Sequence, residues 1–266
     1  MWYSTGLYLR TSLVYINDLP SCNLFSKPRM YADDTTLTSS AEDPFVLKHK
    51  TNHDMNLIQS WLTANKLTLN VKKTKYMLTG SKYKLSQIHN DFTVKVPNTP
   101  LDRVTKHKTV RVHIDESLNW HLHINVTSKK ISAGLAILKR VSTTIPFDTR
   151  MNMYNALVMS YFNYCGTVWG NIGKGLSDKI PKLQNRAARI LTFSNYETRS
   201  SILLDELSWE SLENKRLKLL AMIMYKILNN LSPSYLRRIF INASNVHAHN
   251  LRNSEINCYV PNPRTE

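Results

Sequence analysis

Asp33 and Asp34 are adjacent carboxylates set between two short β-prone runs, Arg29-Met30-Tyr31 and Thr35-Thr36-Leu37-Thr38. The pattern predicts a tight antiparallel hairpin with both acids at its tip. Neighbouring acids repel one another, and a divalent cation removes that conflict, because hard ions such as Mg²⁺ bind through carboxylate oxygens. A two-carboxylate hairpin of this kind suits two-metal phosphoryl transfer. Asp is equally a standard turn residue, so for these four residues alone a solvated surface turn is the competing reading.

The chain has 266 residues, enough for one large domain or two small ones, and 42% of them are hydrophobic, enough to build a core. A formal net charge of +16 favours polyanionic partners, either nucleic acid or an anionic membrane surface. Nucleic acid is the expected partner rather than a membrane, since no stretch approaches the roughly 18 apolar residues of a spanning helix. Met1 to Arg10 lacks a basic start followed by an apolar run, so no secretory signal is expected. Cys22, Cys165 and Cys258 are too far apart for a disulfide framework or a zinc pattern, which points to a reducing compartment, cytoplasmic or nuclear. His121-x-His123 and His247-x-His249 are expected to be polar surface histidines, and no protein partner is evident.

The coarse reading is α+β. The hairpin precedes a helix over 41–66, opened by Ala41-Glu42-Asp43-Pro44, with Val46, Leu47, Leu57, Ile58, Trp61 and Leu62 expected to face a sheet. A strand is expected over 75–79, and weak strand character over 92–96. From Trp120 the pattern turns helical, over 121–143, 147–168, 177–194 and 209–230, with Ser177 a candidate cap. Leu212, Leu217, Leu219, Leu220, Ile223, Met224, Ile227 and Leu228 form a broad apolar face on the last of these. Lys129, Lys130, Lys139 and Arg140 make the first basic. Lys182, Arg186 and Arg189 fall at i, i+4 and i+7 on the third, a stripe that suits phosphate contacts or a solvated face. Residues 241–266 lose periodicity and read as an irregular tail.

Tyr31-Ala32-Asp33-Asp34 resembles the catalytic motif of non-LTR (LINE-type, jockey-like) retrotransposon reverse transcriptases, and further blocks follow in the family's order. Tyr15-Ile16-Asn17-Asp18-Leu19-Pro20 resembles the segment upstream. Trp61 with Asn65-Lys66-Leu67-Thr68-Leu69-Asn70-Val71-Lys72-Lys73-Thr74 resembles the segment downstream. His113-Ile114-Asp115-Glu116-Ser117-Leu118-Asn119-Trp120 is similar to the passage from palm to thumb. Tyr164-Cys165, Val168-Trp169-Gly170 and Leu183-Gln184-Asn185-Arg186-Ala187-Ala188-Arg189-Ile190 are similar to the helical thumb.

The resemblance implies an incomplete palm and connection over 1–118, a short antiparallel sheet plus helix. An all-helical thumb over 119–240 and the irregular tail over 241–266 would follow. It implies an RNA-directed DNA polymerase, a nucleotidyltransferase, whose partners are an RNA template, a DNA primer duplex and dNTP. Asp33 and Asp34 would be catalytic metal ligands for Mg²⁺, two ions in the complete enzyme, and Lys73 would sit near the nucleotide phosphates. Lys182, Arg186 and Arg189 would contact the duplex backbone. The family's third carboxylate, its fingers and its Gly-rich segment have no counterpart before Tyr15, with Ser4-Thr5-Gly6-Leu7 at best a remnant. The chain alone is therefore expected not to polymerise. At Thr109-Val110-Arg111 the family carries Tyr-Leu-Gly in a primer-gripping turn, and the missing Gly is a departure. Two other readings remain open: a non-catalytic, basic nucleic-acid-binding remnant, and a translated relic without function.

Overall fold

The structure, a computed structural model, describes residues 3–10, 18–31, 34–88, 92–96, 99–170, 174–246 and 258–259. The chain is α+β and divides into two units, Met1–Lys129 and Lys130–Glu266. The division falls inside one helix, eleven residues beyond the 118/119 boundary expected from the composition shift.

The first unit is built on a five-stranded sheet. Its strands are β1 (Tyr3–Arg10), β2 (Lys27–Tyr31), β3 (Asp34–Ala41), β4 (Lys75–Thr79) and, further along the chain, β7 (Asp102–Arg103), in the order β2-β3-β1-β4-β7. β1 is the central strand, running antiparallel to β3 from Tyr3↔Ala41 to Arg10↔Asp34 and antiparallel to β4 from Ser4↔Thr79 to Tyr8↔Lys75. The sequence pattern assigned no strand there. Edge strand β2 carries Lys27, Pro28 and Arg29, residue types that discourage pairing with another chain.

Strand β3 alternates between half-buried and buried positions, with Thr35, Leu37, Ser39 and Ala41 turned inward. Helix α1 (Pro44–Ala64) packs on that face. Asp43 caps it by accepting from the Phe45 N–H at 3.2 Å, and Pro44 stands in the first turn. Leu47, Met55, Ile58 and Leu62 of α1 meet Leu37, Tyr76, Leu78, Val94 and Leu101 in one core. Val46 is exposed, contrary to expectation, because the buried stripe runs through 47, 51, 54, 55, 58 and 62 and leaves 46 on the opposite side. The helix ends on Lys66 at φ 56°, with the Leu67 N–H returned to the Leu62 carbonyl at 2.8 Å, the pattern of a Schellman stop.

Between the strands of the sheet come α2 (Lys82–Gln87) and the two-residue pair β5 (Lys95–Val96) and β6 (Thr99–Pro100). The hairpin β8 (Lys106–Thr109) and β9 (Val112–Asp115) follows β7. Its turn, Val110-Arg111, has φ 45° and 62°, so both central residues are left-handed. That geometry favours Asn-Gly, and each L-residue carrying a Cβ costs roughly 1–2 kcal/mol there. Replacing Val110-Arg111 with Asn-Gly is expected to stabilise the chain by about 1–2 kcal/mol in urea melts. An unchanged midpoint would show that the turn carries no strain.

Asp115 is buried and its Oδ1 accepts from the N–H and hydroxyl of Ser117 and from the Asn119 N–H. Asn119 Oδ1 then accepts from the His121 N–H at 3.0 Å, at the start of α3 (His121–Val141). His123, expected at the surface, is 4% exposed, and its Nδ1 takes the His113 N–H at 3.3 Å. An imidazole that accepts a backbone hydrogen bond meets the condition for burying a polar ring.

The second unit is helical. Helices α4 (Phe147–Tyr154) and α5 (Ser160–Asn163) flank a π-helical stretch, Asn155–Met159. Next come α6 (Gly166–Trp169), α7 (Lys174–Ser177), α8 (Lys179–Thr192), α9 (Ser200–Glu206), α10 (Leu212–Leu228) and α11 (Ser234–Arg237). The single helix expected over 147–168 is thus broken by the π stretch and by Cys165 at φ 51°. Gly134 permits close packing where α3 meets that stretch, since a Cβ there would lie 2.9 Å from the Leu157 carbonyl oxygen. Ser177 ends α7 instead of capping α8, whose N-cap position is Asp178.

The apolar face of α10 is mostly open. Leu212 and Ile227 are buried, whereas Leu217, Leu220, Ile223 and Leu228 are exposed. Helical periodicity marks a face able to be buried without supplying its partner. In the expected irregular tail, Asn242 forms an antiparallel bridge with Cys258, and the Tyr259 N–H reaches the Ile241 carbonyl at 2.8 Å.

Candidate functional site

The β2–β3 ladder runs to Tyr31↔Asp34, leaving a two-residue connection, residues 32 and 33. Asp33 lies outside the described residues, as do His247 and His249. Asp34 opens β3 and is half-buried, paired in register with Arg10 at the end of central strand β1. It alternates with Thr36 and Thr38 on the face opposite Leu37, where the Arg29 Nη1 donates to Thr38 Oγ1 at 3.2 Å.

The same end of the sheet gathers charge from two further strands. Register aligns Thr36, Tyr8 and Lys75 across β3, β1 and β4, and continues to Asp102 of β7. Lys75 Nζ lies 3.6 Å from Asp102 Oδ2, with both side chains open to solvent, so the pair contributes little stability. His107 of β8 senses this group. Burial holds its imidazole below the ordinary range, Asp34 pulls it upward and Lys75 pushes it down. Nothing in local sequence joins His107 to Asp34, since 73 positions of chain separate them and only the tertiary fold brings them together.

Lys73 is exposed in the turn before β4, where its N–H bonds to Asn70. The ladder begins at Lys75, so Lys75 is the lysine that the sheet aligns with the acidic hairpin. Among the described residues no group of three or more His, Cys, Asp or Glu comes together. Of the two hairpin acids the structure describes Asp34, and one or two carboxylates completed by substrate phosphates and water would suit Mg²⁺.

On α8 the predicted basic stripe divides in role. Lys182 and Arg186 are exposed. Arg189 is half-buried, with Nη2 donating to the Tyr196 and Thr198 carbonyls at 3.3 and 3.2 Å and Nη1 to the Asn185 carbonyl at 3.4 Å. Its guanidinium also stands 5.1 Å from the Tyr196 ring centroid. Arg189 therefore holds the turn after α8.

Neighbouring residues of the same block are structural. Gln184, 2% exposed, donates to the Glu210 carbonyl at 3.0 Å and accepts from the Leu212 N–H at 3.3 Å, fixing the start of α10. Ala187 and Ala188 are buried where larger side chains would hold the helices apart. Trp169 is fully buried, its Nε1 donating to the Tyr164 carbonyl at 2.9 Å and the Arg216 guanidinium lying 4.6 Å from its ring. Among the described residues no helix is long and apolar enough to cross a membrane. A scan against protein-family models finds no match for the chain, and a search of curated proteins finds no significant similarity.

Proposed function

We propose that the chain is the palm-and-thumb portion of an RNA-directed DNA polymerase of the non-LTR retrotransposon type. The observation that carries this reading is the hairpin register, which puts the Tyr-Ala-Asp-Asp tetrad across a two-residue connection and makes Asp34 the first residue of a strand beside the central one. In this reading Asp33 and Asp34 hold Mg²⁺, which when bound neutralises charge on the nucleotide phosphates. Lys75 supplies a second positive charge at that end of the sheet. The cations of α3 and α8 hold the phosphate backbone of a template–primer duplex.

Mn²⁺ binding to the full chain, measured with template–primer and dNTP present, tests the acidic pair. Asp33→Asn and Asp34→Asn are each expected to weaken it by about tenfold or more, leaving metal-free duplex binding unchanged. Equal Mn²⁺ affinity in all three proteins would refute the metal-site assignment.

A second reading, a basic nucleic-acid-binding remnant without chemistry, is favoured by one observation. The Val110-Arg111 turn keeps a backbone that calls for glycine while the sequence supplies none. Under it, both variants would behave as wild type in every binding measurement.

A further inference from the structure

Within the second unit, the end of α3 and the end of α8 enclose a cleft of about 440 Å³. That volume falls in the range of roughly 300–1,000 Å³ typical of small-ligand sites. Lys139, Arg186 and Arg189 line it together with Thr143, Phe193 and Tyr196, and no carboxylate is among its lining residues. Arg189 is immobilised by three carbonyls, so one positive charge is fixed in the wall. Among the described residues neither Lys139 nor Arg186 has an ion-pair partner.

The aromatic rings distinguish this cleft from a plain basic surface. Tyr196 is 88% exposed although its ring stacks near the Arg189 guanidinium, so most of the ring stays open. Phe193, 55% exposed, is held at φ 55° just after α8, with the Arg150 guanidinium 4.3 Å from its centroid. Duplex backbone contacts require cations alone. Open aromatic faces backed by guanidinium groups, in a concave site, suit a base removed from its stack.

We infer that this cleft binds one unpaired nucleotide of a nucleic-acid strand, its base stacked on Tyr196 and its phosphate on Lys139 and Arg186. The inference rests on the nucleic-acid reading above and adds a single-strand site to it. The ligand is either RNA or DNA, since stacking and phosphate contacts are common to both.

The test measures binding of the full chain to labelled 12-nucleotide single strands, RNA and DNA of one sequence, and to a blunt 12-base-pair duplex. Tyr196→Ala is expected to weaken single-strand binding by about tenfold and leave duplex binding within twofold, while Tyr196→Phe retains wild-type affinity for both. Lys139→Gln and Arg186→Gln are expected each to reduce the salt slope for the single strand by about one. Tighter binding of the RNA strand would identify RNA as the ligand, and equal affinities would mean that the site reads the base and phosphate alone. Duplex binding with a full salt slope but no Tyr196→Ala effect on single strands would overturn the cleft assignment alone. No binding to any probe would overturn the nucleic-acid reading as well. Because the Tyr196 ring is open and its holding contact is through the backbone carbonyl, the alanine variant is expected to melt like wild type.

Discussion

Trp169→Ala is expected to destabilise the protein by about 4 kcal/mol. Trp169 is the largest fully buried side chain among the described residues, and alanine leaves a cavity that its neighbours can fill only in part. Two further losses accompany the cavity. The Tyr164 carbonyl loses its indole donor, and the Arg216 guanidinium loses the ring beneath it. Arg216 is poorly placed to accept that change, because its Nε and Nη2 are buried without hydrogen-bond partners and burial already lowers its pKa, with Glu213 partly opposing. Urea melts followed by far-ultraviolet circular dichroism measure the loss. A change below about 1.5 kcal/mol would show that the pocket collapses around the alanine.

Asp54→Ala is expected to cost about 3 kcal/mol, from the first unit. Asp54 lies on α1 and is 1% exposed. Its carboxylate accepts from the Phe25 N–H at 2.9 Å, the Ser26 N–H at 2.7 Å and the Ser26 hydroxyl. Those bonds fasten the chain just before β2, so they set where the acidic hairpin begins. Alanine strands buried donors that water reaches poorly, and each unsatisfied donor costs about 1–3 kcal/mol. Asn, which keeps one acceptor oxygen, is expected to lose roughly half as much. Equal stability of Asp54→Ala and wild type would mean that the 25–26 segment finds other partners. A hairpin loosened in this way should also weaken Mn²⁺ binding under the proposed function, although Asp54 itself is no ligand.

The contrast between Asp54 and Val46 shows where sequence pattern fails. Both lie on α1, and hydropathy alone places valine inward and aspartate outward. The structure reverses them, because the loop at residues 25–26 arrives over the position that Asp54 occupies. The helix stops tell a similar story. Lys66, Phe193, Ser208 and Asn230 all adopt positive φ beside backbone bonds that close the helix ends, in a chain with seven glycines. Only Asn230 belongs to a residue type that advertises such a stop, so the other ends were not legible.

By itself the sequence determined the hairpin around the acidic pair, the start of α1 near Pro44, the change from strand to helical periodicity near Trp120 and the excess of positive charge. Each follows from interactions within about four residues, or from composition. Tertiary structure alone decided that β1 is the central strand, that Lys75 aligns with the acidic end of the sheet, that His107 senses Asp34, and that Arg186 and Arg189 meet Lys139 around a cleft. Those groupings join residues tens of positions apart. Register and helix packing create them, and local patterning carries no record of either.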